Sequence, residues 1–178
     1  MRQPGTSVIM TSLALAVFTL TAFACAAGEE PGRETEASLV RIEQVEVWVS
    51  PIGPMVLLKV QNKAIPIFVD AVVAQSIHGA LSGEKLPRPL SHDLMHTILE
   101  GFDGKVSQVV ITLKGGTYYA DLIVLMRGTT KVFDSRSSDA IALAIHFKAP
   151  MLVSQELIDK AGAALDSLGE SKPRGTRL

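Results

Sequence analysis

The sequence has little cysteine and no excess of basic residues, and each absence limits what the protein can be. Cys25 is the single cysteine among 178 residues, which excludes an intramolecular disulfide and a thiolate-rich metal site. Seventeen basic residues against eighteen acidic residues give a formal net charge of -1, whereas a generic nucleic-acid-binding protein has a basic excess. Any contact with nucleic acid must therefore come from a local patch, and the fold must be stabilised by burial alone.

Repeats and a phosphate-binding loop are also absent. We find no internal repeat, and no Lys-Ser or Lys-Thr follows Gly115-Gly116 at P-loop spacing. The glycine pair instead predicts a hairpin turn. Hydrophobic residues make up 47% of the chain, which is sufficient for one core in a chain of single-domain length.

The N-terminus has the order of regions found in a secretory signal. Arg2 precedes an uncharged apolar run over Val8–Ala24, and small residues and Glu29-Glu30 follow it. The run is short for a membrane-spanning helix. We therefore expect an exported protein of the periplasm or cell envelope, with a retained membrane anchor as the alternative.

Cys25 is a lipidation candidate. The segment Leu20–Cys25 is similar to a bacterial lipoprotein signal, although Ala22 replaces the favoured leucine and Phe23 is bulky. Acylation of Cys25 would give the mature protein a lipid anchor on the membrane. Ordinary cleavage after Ala24 or Ala26 also fits a small-residue site, so both alternatives stay open.

Composition divides the chain into four parts. Residues 1–27 are the signal, residues 28–38 are a solvated linker, residues 39–168 form one domain, and residues 169–178 are a flexible tail. Within the domain, alternating and apolar segments predict strands separated by turns and by four helices. The fold class is therefore α+β, with a mixed, largely antiparallel sheet and helices packed on it.

The helices are predicted from apolar periodicity. Asp70 caps a helix over 71–81, and a second helix over 91–102 buries one apolar face. A third helix over 139–147 is apolar nearly all round and is expected to be buried on most sides, and the last helix covers 155–168. The residues predicted on the buried faces are Val73, Ile77, Ala80 and Leu81; Leu94, Ile98 and Phe102; and Leu157, Ala161, Leu165 and Leu168.

The second and third helices begin with the same pattern, a serine followed two residues later by an aspartate. Ser91 and Ser137 are predicted N-caps, and Asp93 and Asp139 lie in the first turn, where the helix dipole favours negative charge. Capping alone explains these four residues. It leaves four others unexplained, and they have the chemistry of a phosphodiester site: Arg88 and Arg136 for phosphate, His92 for proton transfer, and Asp134 for a cation or a water.

Three blocks of the sequence resemble one family. Ile65–Val69, Arg88–Leu94 and Asp134–Ala144 resemble, in order and spacing, the signature blocks of the bifunctional nuclease domain family, and the resemblance covers about Val45–Gly162. It implies the family's fold and DNase and RNase activity. One departure is Ser137, because the family commonly has a proline there.

Two functions follow as hypotheses. The first is a nuclease on DNA or RNA, assisted by Mg²⁺ or Mn²⁺, with His92, Asp93, Asp134 and Asp139 as catalytic residues and Arg88 and Arg136 on the phosphate. The second is a non-catalytic binding module of the envelope, in which these charges form structural ion pairs. An edge strand near Pro66 would then support a homo-oligomer.

A zinc site is a weaker alternative. His92 and His96 have the H-x-x-x-H spacing of zinc metalloproteases on one helix face. No third ligand follows them, so we expect His96 to be solvated and zinc to be absent.

Overall fold

The computed structural model describes residues 38–164 and 176–177. The described helices are α1 (Ala71–Ser82), α2 (Ser91–Gly101), α3 (Ser137–His146) and α4 (Gln155–Ala161). The described strands are β1 (Leu39–Arg41), β2 (Gln44–Ser50), β3 (Gly53–Val60), β4 (Lys63–Phe68), β5 (Gly104–Lys114), β6 (Thr117–Met126), β7 (Thr129–Arg136), β8 (Met151–Ser154), β9 (Ala163–Ala164) and β10 (Thr176–Arg177).

The strands form two five-stranded sheets. Sheet A has the order β1-β8-β5-β6-β7, and sheet B has the order β10-β2-β3-β4-β9. Every neighbouring pair is antiparallel except β5 and β8, which are parallel. The predicted α+β class is therefore confirmed, with the strands divided between two sheets.

Short turns place consecutive strands next to each other in the sheets. Gly115 and Gly116 join β5 to β6 with φ angles of 58° and 81°, a left-handed conformation that only glycine adopts without strain. β5, β6 and β7 form the antiparallel meander that the sequence predicts. β3 and β4 form the predicted hairpin across Gln61 and Asn62.

The hydrophobic core is formed by residues of both sheets and of the helices that pack on them. α1 packs on sheet B, α3 packs on sheet A, and the two helices pack on each other. Ile141 is fully buried in α3, together with its neighbours from Ala140 to Ala144. The near-uniform burial predicted for this helix is therefore confirmed.

The buried face predicted for α2 is wrong. Leu94, Ile98 and Phe102 are 51%, 49% and 56% exposed, whereas His92 is 4% exposed. α2 packs on α3 through its histidine-bearing side, because that side finds hydrogen-bond partners there. Leu81 of α1 is likewise exposed.

The last helix ends earlier than predicted. α4 stops at Ala161, and Ala163–Ala164 pairs with β4 as a strand. A Cβ atom on Gly162 would collide with the carbonyl oxygen of Ile158. Glycine, which has no Cβ atom, therefore fits at the position where the helix ends. Of the residues predicted to be buried here, Leu157 is buried, and Leu165 and Leu168 lie outside the described residues.

The predicted signal, the lipidation candidate Cys25 and most of the predicted linker and tail also lie outside the described residues. Within 38–164 and 176–177, no helix has the length and apolarity needed to cross a membrane.

The corrected orientation of α2 predicts a contrast between two isoleucines. Ile141→Ala removes a fully buried side chain and should lower the free energy of unfolding by about 2–5 kcal/mol. Ile98→Ala, on the exposed face of α2, should lower it by less than about 1 kcal/mol. Urea unfolding of both variants measures the difference, and equal losses would contradict the orientation of α2.

Candidate functional site

The two polar helix starts meet in space. His92 lies in the first turn of α2, and its Nε2 atom is 3.3 Å from Oδ1 of Asp139 in the first turn of α3. His92 is buried, and Asp139 is partly exposed at the edge of the contact. Residues 47 positions apart are thus joined by one polar contact.

The predicted serine caps are wrong. Ser91 and Ser137 are the first residues of their helices, and the N-cap positions belong to Leu90 and Arg136, which make no side-chain cap bond. In α2 the free backbone N–H of Leu90 instead donates to Oδ2 of Asp93 at 2.8 Å. The aspartate therefore takes over part of the role expected of the serine.

Asp139 occupies the same helix position as Asp93 but has different partners. The guanidinium of Arg136 donates to it twice, from Nε to Oδ2 at 2.8 Å and from Nη2 to Oδ1 at 3.0 Å. Burial raises the pKa of the Asp139 carboxyl, but the hydrogen bonds and charges of Arg136 and His92 outweigh it, so the net pKa is lowered. Asp139 is therefore ionised at neutral pH.

A third helix start lies near this pair. The hydrogen bond and charge of Asp139 raise the pKa of Arg136, and the charge of Asp70 adds to the effect. Asp70 is the N-cap of α1, where its side chain accepts from the backbone N–H of Val73. The predicted cap is therefore confirmed, and it contributes negative charge near Arg136.

A second polar cluster surrounds His146 at the end of α3. Its Nε2 atom is 3.2 Å from Oγ of Ser76 and 3.7 Å from Oδ1 of Asp93. Burial lowers the pKa of His146, and the charges of His96 and His92 lower it further, although Asp93 opposes them. At neutral pH the imidazole is therefore neutral, with a nitrogen lone pair available as a base.

His96 completes this cluster from α2. Its ring centroid is 5.8 Å from that of His146 and 4.4 Å from that of Phe147. Its Nε2 atom is 3.4 Å from Oε1 of Glu100. The two histidines of the H-x-x-x-H pattern therefore have different partners, since His92 faces Asp139.

A groove of about 600 Å³ opens between α1 and α2 beside the second cluster. The side chains with acid–base or charged groups in its lining are Ser76, His78, Glu84, Lys85, Asp93, His96, Glu100 and His146. Of the sequence candidates, Asp93 alone is among the lining residues. His92 and Asp139 are not among the lining residues. Nδ1 of His92 is the one buried side-chain polar atom without a partner in the part of the chain that is described.

Two sequence candidates lie apart from the clusters. Arg88 is exposed in the loop between α1 and α2. Asp134 is opposite Asp121 on β6, and the alternation of β6 puts both carboxylates on the face of sheet A away from buried Leu122. The helices pack on the other face, so the structure does not bring Asp134 to the groove.

Sequence reasoning missed His146 and Ser76, and it expected His96, which packs against His146 and Phe147, to be solvated. His146 ends a helix, where a positive charge is favoured in any fold, and Ser76 lies within the apolar pattern of α1. Their proximity depends on the packing of α1 against α3, and no local sequence pattern indicates which helices pack together. Within residues 38–164 and 176–177, no three His, Cys, Asp or Glu side chains are grouped to hold a metal ion.

Comparison with known proteins identifies similar sequences. A family model described as "Bifunctional nuclease domain" matches residues 55–166. Two relatives from Mycobacterium tuberculosis are each 31% identical over 126 residues, which is 69% of this chain and 75% of the relative. They are Uncharacterized protein MT1877 of strain CDC 1551 / Oshkosh and Uncharacterized protein Rv1829 of strain ATCC 25618 / H37Rv.

The lowered pKa of Asp139 predicts how its contribution to stability depends on pH. A carboxyl whose folded pKa lies below its ordinary value of 3.8 stabilises the fold above that value, and the stabilisation is lost as pH falls through the folded pKa. Asp139→Asn should therefore lower the free energy of unfolding by about 1 kcal/mol near neutral pH, a value reduced for its partial exposure.

Urea unfolding of both proteins from about pH 7 down to about pH 3 measures this dependence. We expect the difference between wild type and variant to shrink below about pH 4. A difference that stays constant over the whole range would contradict the assigned contacts of Asp139.

Proposed function

The chain belongs to the bifunctional nuclease domain family, and from that premise we propose that it hydrolyses phosphodiester bonds of DNA or RNA in the groove between α1 and α2. The observation that carries the proposal is the pairing of His146 with Asp93 beside His96 in the lining of that groove. Residues from the start of α2, from the middle of α2 and from the end of α3 thus supply acid–base groups to one concave surface.

His146 is the proposed general base. Burial lowers the pKa of His146 and favours its neutral imidazole, so the unprotonated ring nitrogen takes a proton from a water molecule as that water attacks the phosphorus atom. Asp93, 3.7 Å from Nε2, stabilises the imidazolium that forms. A new P–O bond forms to the water oxygen, and the bond from phosphorus to the leaving sugar oxygen breaks.

The leaving oxygen needs a proton, and His96 is the proposed donor. Its ring is 5.8 Å from that of His146, a separation that allows the two imidazoles to act on opposite sides of one phosphate group. Oε1 of Glu100, 3.4 Å from His96 Nε2, holds the ring in place beside His146.

His92, Asp139 and Arg136 are proposed as positioning residues. Asp139 joins α2 to α3 through His92, which fixes Asp93, the next residue of α2, relative to His146. Two nitrogens of Arg136 already donate to Asp139, so Lys85 in the groove lining and Arg88 in the same loop are better placed to bind phosphate than Arg136.

We also propose that a divalent cation, Mg²⁺ or Mn²⁺, assists the reaction. Glu84, Asp93 and Glu100 line the groove with Lys85 as the one Lys or Arg of the lining, and such carboxylates repel a phosphate unless a cation compensates them. The described part of the chain offers no group of three donors, so no step of the mechanism is assigned to a cation.

The alternative function is a binding module without catalysis. It is favoured by the closed ion pair of Arg136 with Asp139, which stabilises the start of α3 and needs no substrate to explain it. The two functions differ in whether His146 and Asp93 matter for turnover.

The nuclease proposal predicts the effect of two variants. His146→Asn and Asp93→Asn should each lower kcat/KM by about a hundredfold or more, since they remove the base and the group that stabilises it. The full chain is assayed on labelled single-stranded RNA and DNA with Mg²⁺, with Mn²⁺ and with EDTA. Asp121→Asn is the matched control, because that carboxylate lies on the other side of sheet A.

Three results separate the alternatives. Loss of activity in His146→Asn and Asp93→Asn, with Asp121→Asn unchanged, supports the nuclease. Equal activity in all four proteins indicates a contaminant or another site. No activity in any of them, with folding intact by circular dichroism, favours the binding module.

We also propose that the protein is exported and acts in the periplasm or cell envelope. The proposal rests on the uncharged run Val8–Ala24 and the small residues around Cys25. Intact-mass measurement of the protein from its native host should show loss of the first 24 to 26 residues, with added acyl mass if Cys25 is lipidated. A full-length mass would contradict cleavage.

A further inference from the structure

β7 is an edge strand with unusual exposure. It is the last strand of sheet A, and every one of its eight residues is exposed or half-exposed. Val132 is 61% exposed and Phe133 is 48% exposed. A long edge strand with exposed apolar side chains is a template for pairing with another strand.

The other sheet edges in the described residues are short. Sheet A ends on its other side at the three residues of β1, and sheet B ends at the two-residue strands β9 and β10. β9 pairs with Lys63 and Ala64, so the edge near Pro66 is partly occupied. β9 leaves Ile65–Phe68 of β4 without a neighbouring strand on that side, and β10 covers only Trp48 and Val49 of β2. Within residues 38–164 and 176–177, the eight residues of β7 therefore form the longest open edge.

We propose that β7 pairs antiparallel with β7 of a second copy of this chain across a two-fold axis. The occupant must cover both faces of the strand, because Phe133 shares a face with Leu122 and Val132 shares the other face with Ile123. A helix or a small ligand would cover only one face. A second copy of sheet A continues both faces at once.

Charge, the length of the overlap and the pairing of aromatic side chains select the register. Residues that face each other across the axis must share a sheet face, so the axis passes through one residue of β7. An axis at Lys131 or at Asp134 would oppose two like charges, which is destabilising. An axis at Val132 would set Lys131 opposite Phe133, and an axis at Ser135 would leave only Asp134–Arg136 facing each other. An axis at Phe133 keeps Thr130–Arg136 in the overlap and pairs the two phenylalanines, and it sets Val132 opposite Asp134 and Thr130 opposite Arg136 of the second copy.

The helix side of sheet A extends the surface. α2 and α3 pack on the face that bears Phe133, and the two-fold axis brings these faces of the two copies side by side. A stable interface buries about 800 Å² per partner, so the pairing requires helix-side residues of both copies to meet beside the two β7 strands.

Two substitutions of one residue test the register. In the proposed pairing Val132→Asp sets aspartate opposite Asp134 twice per dimer, and Val132→Lys sets lysine opposite Asp134 twice. We expect Val132→Asp to raise the dimer Kd by about tenfold or more and Val132→Lys to keep or lower it. Ile52→Asp, at an exposed apolar residue of the β2–β3 turn, is the control and should leave the dimer unchanged.

The measurement is the molar mass of the full chain by light scattering and native mass spectrometry over a concentration series. Cross-linking adds a second readout, since Phe133→Cys in a Cys25→Ser background should form an interchain disulfide more readily than Val132→Cys. A monomeric wild type, or equal effects of Val132→Asp and Val132→Lys, would overturn the proposal, as would dissociation by Ile52→Asp. The outcome does not depend on whether the chain is a nuclease.

Discussion

The carboxylate of Asp139 is the group on which the arrangement of the site depends. It accepts from Arg136 at the end of β7 and lies 3.3 Å from the buried His92 of α2. Placing a carboxylate and an imidazole between two helices is unfavourable unless each finds a partner. The contact therefore fixes α2 on α3, and the position of α2 in turn sets where Asp93 and His96 meet His146.

This contact also explains the orientation of α2. A surface helix normally buries its apolar stripe, but here the stripe of Leu94, Ile98 and Phe102 faces solvent because the polar side carries the contacts to α3. The apolar stripe is then left available for another surface.

Much of the fold could be predicted from the sequence, because local sequence patterns determine its turns and its most buried helix. The hairpins at Gly115 and Asn62 follow from turn chemistry, and the burial of α3 follows from its nearly uniform apolar character. The face of α2 could not be predicted, since periodicity identifies a stripe and not the surface that covers it. The cap predicted at Ser91 is wrong because α2 begins one residue earlier and Asp93 accepts from the N–H of Leu90. The cap predicted at Ser137 is wrong because α3 begins at Ser137, with Arg136 at the N-cap position.

The candidate site was predictable only in part. The pairing of His92 with Asp139 joins residues that the sequence had already singled out. His146 and Ser76 come from the packing of α1 on α3, which involves residues 70 positions apart. Asp134 had a suitable side chain, but strand alternation directs it to the face of sheet A away from the helices.

A double-mutant cycle on His92 and Asp139 tests the central claim most directly. The free energy of unfolding would be measured for wild type, His92→Leu, Asp139→Asn and the double variant at neutral pH. If the contact fixes α2 on α3, the two losses are non-additive, with a coupling energy of about 0.5 kcal/mol or more. Additive losses within about 0.3 kcal/mol would contradict the account.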